Sequence, residues 1–164
     1  MESPLIEIVD ESGKVLEVID HRECFERRLL RRAVHVLVFN LKGEVLLELR
    51  ALDRRFFPGF WNCSSSGFVA VGEEPLAAAR RETLEELGLG LVLRPAGTFR
   101  VDSGNDNSLN YLFFGFFEGL PCCFEARKVE WFSLKNLPEP LTPALQAAIN
   151  NTLSSAGRTV ARNR

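Results

Sequence analysis

No stretch of this 164-residue chain approaches the roughly 20 consecutive apolar residues that a membrane-spanning helix needs. Its start, MESPLIEIVDESG, lacks the basic segment and apolar run of a signal peptide, so the expectation is a soluble, cytoplasmic protein with no membrane partner. Cysteine is sparse. Cys24, Cys63, Cys122 and Cys123 form no C-x-x-C pair, and an adjacent pair is poor zinc spacing, so all four read as reduced, small apolar residues. An excess of charge of one sign is missing too: 20 basic against 22 acidic residues leave a net charge of -2. With the two signs interspersed, no nucleic acid polymer is expected as a partner. One basic knot, Arg27, Arg28, Arg31 and Arg32, reads as a solvated face more readily than as a polyanion patch. Repeats and interdomain linkers are absent as well, so the length suits a single domain over residues 1–164.

What is present alternates. LIEIVD and VLEVID flank the turn ESGK and read as a hairpin, an N-terminal extension over about residues 1–32. RAVHVLVF is a nearly continuous apolar strand, and His35 inside it is expected to be packed and hydrogen-bonded rather than a ligand. NLKG turns the chain into EVLLELR, where Glu44, Leu46 and Glu48 share the face opposite Val45, Leu47 and Leu49. RRFFPGFWNCSSSG reads as a loop whose rings either pack beneath it or line a pocket. Strands are expected at LVLRPAG, YLFFGFFEG and KVEWFSL, then a helix near PALQAAINNTL and a polar, frayed tail over residues 155–164. The Phe-rich YLFFGFF would supply a homodimer interface if one of its faces is exposed. The pattern predicts an α+β fold, an α/β/α sandwich around a mixed β-sheet.

The most informative segment is GFVAVGEEPLAAARRETLEELGL, from Gly67 to Leu89. Pro75 suits the first helical position and Gly88 the residue just past the end, which predicts a helix over Pro75–Leu87. Leu76, Thr83, Leu84 and Leu87 cluster on one side of it. Glu82, Glu85 and Glu86, at i, i+3 and i+4, project from another side. Like charges at that spacing oppose one another, and near a helix C-terminus the macrodipole disfavours them further. A structural helix gains nothing from this. A hard divalent cation with oxygen ligands would offset it, and Arg81 could hold the carboxylates in place.

Gly67, Glu73, Arg81-Glu82, Glu85-Glu86 and Gly88-Leu89 together resemble the Nudix box. Thr83, standing where an aliphatic residue is usual, is a mild departure that concerns packing. The resemblance implies the Nudix fold and a divalent cofactor, Mg²⁺ or Mn²⁺, with cleavage of a diphosphate linkage in a small-molecule substrate. It implies Gly67, Glu82, Glu85 and Glu86 as metal ligands, and Glu82, Arg81 and Glu85 as catalytic residues. Glu82 would either ligate the metal or orient and deprotonate the attacking water, and Glu73 would brace the loop. Glu125 and Glu130 are candidates for an additional acidic group.

The hairpin and the strand RRAVHVLVFN also resemble one Nudix branch, isopentenyl-diphosphate isomerase and its relatives. Those enzymes need a Cys-Gly-His cluster, where this chain has Ser66-Gly67-Phe68. Cys63 lies three positions early. The isomerase histidine falls near Arg31, and its later glutamates fall near Leu109 and Tyr111. The expectation is therefore a hydrolase, with the isomerase and a non-catalytic nucleotide-binding module as alternatives. The substrate stays open among nucleoside di- or triphosphates, nucleotide sugars and isoprenoid diphosphates. Phe56, Phe60 or Trp61 would stack a base, and Arg50, Arg54 or Arg55 would contact phosphate.

Overall fold

In the computed structural model, which describes residues 4–104, 106–122 and 128–162, one mixed sheet organises the chain. Its centre is β3 (Arg31–Phe39), the apolar run of the sequence, paired in parallel with β8 (Asp106–Phe116) along its whole length. On its other edge β3 meets three antiparallel neighbours in turn. These are β1 (Leu5–Val9) at Arg31, β6 (Ser65–Phe68) from Ala33 to Val36, and β4 (Glu44–Leu49) at Val38 and Phe39. β2 (Val15–Asp20) closes the N-terminal hairpin on β1, β5 (Trp61–Asn62) and β9 (Lys128–Ser133) flank β4, and β7 (Arg94–Ser103) extends the sheet beyond β8.

Period-two alternation gives β3 two faces, and each is covered. Val34, Val36 and Val38 pack with Ala78, Ala79 and Leu87 of α2 (Pro75–Leu87). Leu37 joins Leu145, Ala148 and Ile149 of α3 (Pro143–Arg162) on the opposite side. The result is the expected α/β/α sandwich. β4 alternates as predicted, with Leu46 in the first cluster and Val45 and Leu47 in the second. Because both faces are covered, even Glu48 is buried.

α2 has the predicted bounds. Pro75 opens it, and Gly88 ends it in the left-handed region at φ 67°, its N–H reaching the Leu84 carbonyl. The buried stripe differs from the expected one: Ala78, Ala79, Thr83 and Leu87 face the core, whereas Leu84 is exposed. Thr83 is accommodated because its hydroxyl donates to the Ala79 carbonyl at 2.7 Å.

Three elements depart from the sequence reading. A short helix, α1 (His21–Glu26), follows the hairpin, capped by the Asp20 carboxylate, which accepts from the N–H groups of Arg22 and Glu23. β7 begins only at Arg94, because Leu89, Leu91 and Leu93 pack against the α2 cluster as irregular chain. α3 continues to Arg162, through the segment expected to fray, where no proline interrupts helical hydrogen bonding.

The basic knot is divided rather than solvated. Arg27 and Arg28 pair with Glu23 and Asp102 at the surface, while Arg31 and Arg32 are buried. Arg31 is covered by the Phe25 ring and pairs with Asp106, and Arg32 is held by the Glu7 carboxylate and the Glu73 carbonyl.

Candidate active site

Arg81 organises the acidic helix. Its Nε and Nη2 donate to the two Glu73 oxygens at 3.0 and 2.9 Å, a bidentate fork. Nη1 reaches Glu82 at 2.6 Å and Glu85 at 3.4 Å, and Nη2 also donates to the Phe68 carbonyl at 3.1 Å. Glu73 in turn accepts from the Ala70 N–H at 3.0 Å, so one guanidinium ties the helix, the loop before it and the end of β6 together. Shared hydrogen bonds hold the Glu73 carboxyl below its ordinary range. The same loop is gripped from the N-terminal hairpin. Glu7 on β1 forms a buried ion pair with Arg32 and accepts the Gly72 N–H at 2.8 Å, and Arg32 also donates to the Glu73 carbonyl.

Glu82 projects onto β6. Its carboxylate lies directly over Gly67, where an added Cβ would sit 2.1 Å from it. Burial pushes the Glu82 pKa up to about 6; Arg81 works against that shift, and Glu86 and Glu85 add to it. Glu86 accepts the Ser66 N–H at 3.1 Å. Glu85 turns outward and is 56% exposed. Gly67, Glu82 and Glu86 therefore meet along β6, and Glu85 stands apart on the Arg81 side. Among the described residues, no group of three or more His, Cys, Asp or Glu is gathered closely enough to cage an ion. The donor set nevertheless fits a hard divalent cation. It consists of carboxylate oxygens and a backbone carbonyl, and its carboxylates outnumber the guanidinium that offsets them.

A cavity of about 410 Å³ opens beside this assembly, with Gly67, Ser66 and Glu86 on its wall. Its floor is the outer half of the β3 face that carries Leu37 further along. Arg31, Ala33 and His35 line it, and the small Ala33 leaves room between two long side chains. Arg31 pairs with Asp106 at 2.9 Å and lies 4.0 Å over the Phe25 ring. His35 Nε2 lies 2.9 Å from Asn110 Oδ1 on β8. Arg50, Arg54 and Arg55, from the loop after β4, also line it, so the cavity that Glu86 reaches carries several basic groups.

The structure sorts the sequence candidates. Arg50, Arg54, Arg55 and Phe56 line the cavity, Phe56 stacked on Phe25 at 5.3 Å. Trp61 does not; it is buried edge-on against Phe132 at 4.8 Å. Glu130 pairs with Lys128 at 2.7 Å on β9, a strand-edge charge, and Glu125 lies outside the described residues. Cys63 is buried in the α3-side core, where burial pushes its thiol far up. His35 is packed and hydrogen-bonded as expected. Sequence reasoning missed the cavity's Arg31–Asp106 and His35–Asn110 pairs. Each joins residues far apart in the chain, and only the parallel β3–β8 register brings them together.

A glycine strand under a carboxylate, a helix of glutamates braced by one arginine, and a cavity lined by several arginines lie side by side. The NUDIX domain model matches residues 29–151, and the chain belongs to that family. An uncharacterised Nudix hydrolase of Pseudomonas aeruginosa is 37% identical over 62% of this chain and 60% of its own length. An isopentenyl-diphosphate Delta-isomerase of Pectobacterium atrosepticum is 34% identical over 72% of this chain and 70% of its own. A crystal structure from Deinococcus radiodurans superposes with a TM-score of 0.77 at 21% identity, covering 90% of this chain and 98% of that one, which establishes the shared fold.

Proposed function

We propose that this protein is a divalent-metal-dependent hydrolase that cleaves a diphosphate linkage. The observation that carries the reading is the Glu82 carboxylate seated on Gly67 by an arginine that simultaneously clamps Glu73 and touches Glu85. Gly67, Glu82, Glu85 and Glu86 supply the oxygens that would hold Mg²⁺ or Mn²⁺. Such an ion neutralises phosphate oxygens and lowers the pKa of a bound water. Of the three carboxylates, Glu82 is the one seated on Gly67 and held by Arg81 at 2.6 Å. Its role is to take the water's proton where Glu85, Glu86 and the Gly67 carbonyl hold the ion. Arg81 keeps that carboxylate in one orientation. Arg50, Arg54 and Arg55, which line the same cavity as Glu86, bind the diphosphate. Water oxygen attacks phosphorus, its proton passes to Glu82, and the bridging oxygen leaves with the electron pair of the broken P–O bond.

The relatives include isomerases, so that reading needs a test of its own. Alkene protonation calls for an acid in the cavity, and among the described lining residues there is no cysteine. Ser66 and Phe68 occupy two of the positions concerned, and neither is such an acid. Cys63 is fully buried in the core with Leu37 and Leu145 and does not line the cavity.

The deciding experiment supplies Mg²⁺ or Mn²⁺ and a panel of nucleoside diphosphates, nucleotide sugars and isopentenyl diphosphate, the last in deuterated water. Phosphate or nucleotide release that stops with chelator and returns with metal is the expected result. Glu86→Gln should raise the Mg²⁺ concentration for half-maximal rate about tenfold, because it removes one charge from the donor set. Deuterium incorporation into isopentenyl diphosphate, or formation of its dimethylallyl isomer, would defeat the hydrolase assignment.

A further inference from the structure

His35 is 7% exposed, yet it is part of the cavity floor, and the mechanism above makes no use of it. Its chemistry can be read from its neighbour. The Asn110 Nδ2 group donates to the Ser108 carbonyl at 3.1 Å and the Phe99 carbonyl at 3.4 Å, and carbonyls only accept. The amide orientation is thereby assigned, and its Oδ1 is the atom 2.9 Å from His35 Nε2. An acceptor there requires the imidazole proton on Nε2. Nδ1 is left with a lone pair, and among the described residues no donor meets it. Burial keeps the ring neutral near pH 7, so Nδ1 acts as an acceptor.

A buried acceptor without a partner costs on the order of 1–3 kcal/mol, which a ligand bearing a suitable donor recovers on binding. We infer that His35 Nδ1 selects the organic half of the substrate by accepting a hydrogen bond from an N–H or O–H group on it. The inference rests on the hydrolase reading for the location of the diphosphate, at the glutamates and the arginines of the cavity. A base, ribose or sugar carries such a donor; a hydrocarbon chain does not, and would bury the lone pair against methylenes. Phe99, 5.8 Å from the imidazole, and Asn110 hold the ring in place, so His35 reads the ligand from a fixed position.

Two measurements on the full chain test this. In the first, kcat/KM is determined with Mg²⁺ on ADP, CDP, GDP, UDP, UDP-glucose and isopentenyl diphosphate, for wild type and His35→Phe. The variant should lose about tenfold or more on the preferred nucleotide, chiefly through KM, and its preference over isopentenyl diphosphate should shrink by the same factor. The second is nitrogen-15 NMR of the wild-type imidazole, free and with methylene-bridged, non-hydrolysable analogues of those nucleotides. Nδ1 should resonate as an unprotonated nitrogen at pH 7 and move upfield when the analogue binds. A proton found on Nδ1, a resonance unmoved at saturation, or an undiminished preference in a folded His35→Phe would overturn the assignment while leaving metal-dependent hydrolysis intact. If no compound in the panel is turned over but Nδ1 still moves on binding, the hydrolase reading falls and the role of His35 stands. Should His35→Phe fail to fold, the wild-type spectrum decides alone.

Discussion

Gly67→Ala should lower turnover by about 100-fold or more and leave the chain folded. The new methyl carbon would lie 2.1 Å from the Glu82 carboxyl group, far inside van der Waals contact. Gly67 has no left-handed backbone to forbid alanine, so the conflict is with that side chain alone. A carboxylate at the end of three rotatable bonds can swing away, and the strand and helix can stay where they are. The swing removes Glu82 from its 2.6 Å contact with Arg81 and from the strand it covers. A displacement of about an ångström in a reacting group is enough for a loss of that size. Gly90→Ala is the control, since nothing lies within 4 Å of a methyl there. Initial rates and thermal melts of both variants make the comparison. Near-wild-type turnover in Gly67→Ala would show that the seat of Glu82 on β6 does not matter to the reaction.

Acidification should weaken the wild-type fold by about 3 kcal/mol more than it weakens His35→Phe. Burial holds the native His35 pKa at about 4, against 6.5 for the solvated side chain. Above pH 6.5 neither the native nor the unfolded chain protonates this ring, and it contributes no pH dependence. Between 6.5 and about 4 the unfolded chain takes a proton that the native one refuses, so stability falls as pH falls. Below about 4 both states are protonated and the loss is complete. The carboxylates, including Glu73 with its depressed pKa, titrate alike in both proteins and cancel in the difference. Urea unfolding of wild type and variant at pH 7 and pH 4 measures it. Equal losses would mean that His35 is hydrated or charged in the native state, and would remove the basis for its selective role.

The box was legible because its signals are local. A proline and a glycine bracket α2, and charge spacing within one turn assigns its glutamates to one end. α1 carried a signal of the same kind, Asp20 followed by Glu23, but so short a helix makes no apolar period to draw attention to it. β7 was misplaced because hydrophobicity reports burial and not strand pairing. Leu89, Leu91 and Leu93 supply side chains to the helix-side core, while the more polar Arg94–Ser103 supplies backbone to the sheet edge. Arg31 illustrates the harder limit. Within its own neighbourhood it is one arginine among four, and its burial follows from Phe25 before it in the chain and Asp106 far beyond. Cavities assembled by long-range register leave little trace in local pattern.

The ion pair between Glu7 and Arg32 bears on how the molecule can be divided. The NUDIX domain match begins at residue 29, so a boundary drawn from it would discard Glu7 with the hairpin that carries it. Yet Glu7 is the acceptor for the Gly72 N–H and the counter-ion of an arginine that also reaches the Glu73 carbonyl. Cutting there would strand Arg32 as an uncompensated buried cation one residue away from the Glu73 clamp. The hairpin works as a keystone: it lies outside the matched domain, and the arch on which Arg81 rests leans on it. Transplanting residues 29–151 onto another scaffold, or joining them to a foreign N-terminal partner, would require a substitute for that one carboxylate before the glutamates could take up their places.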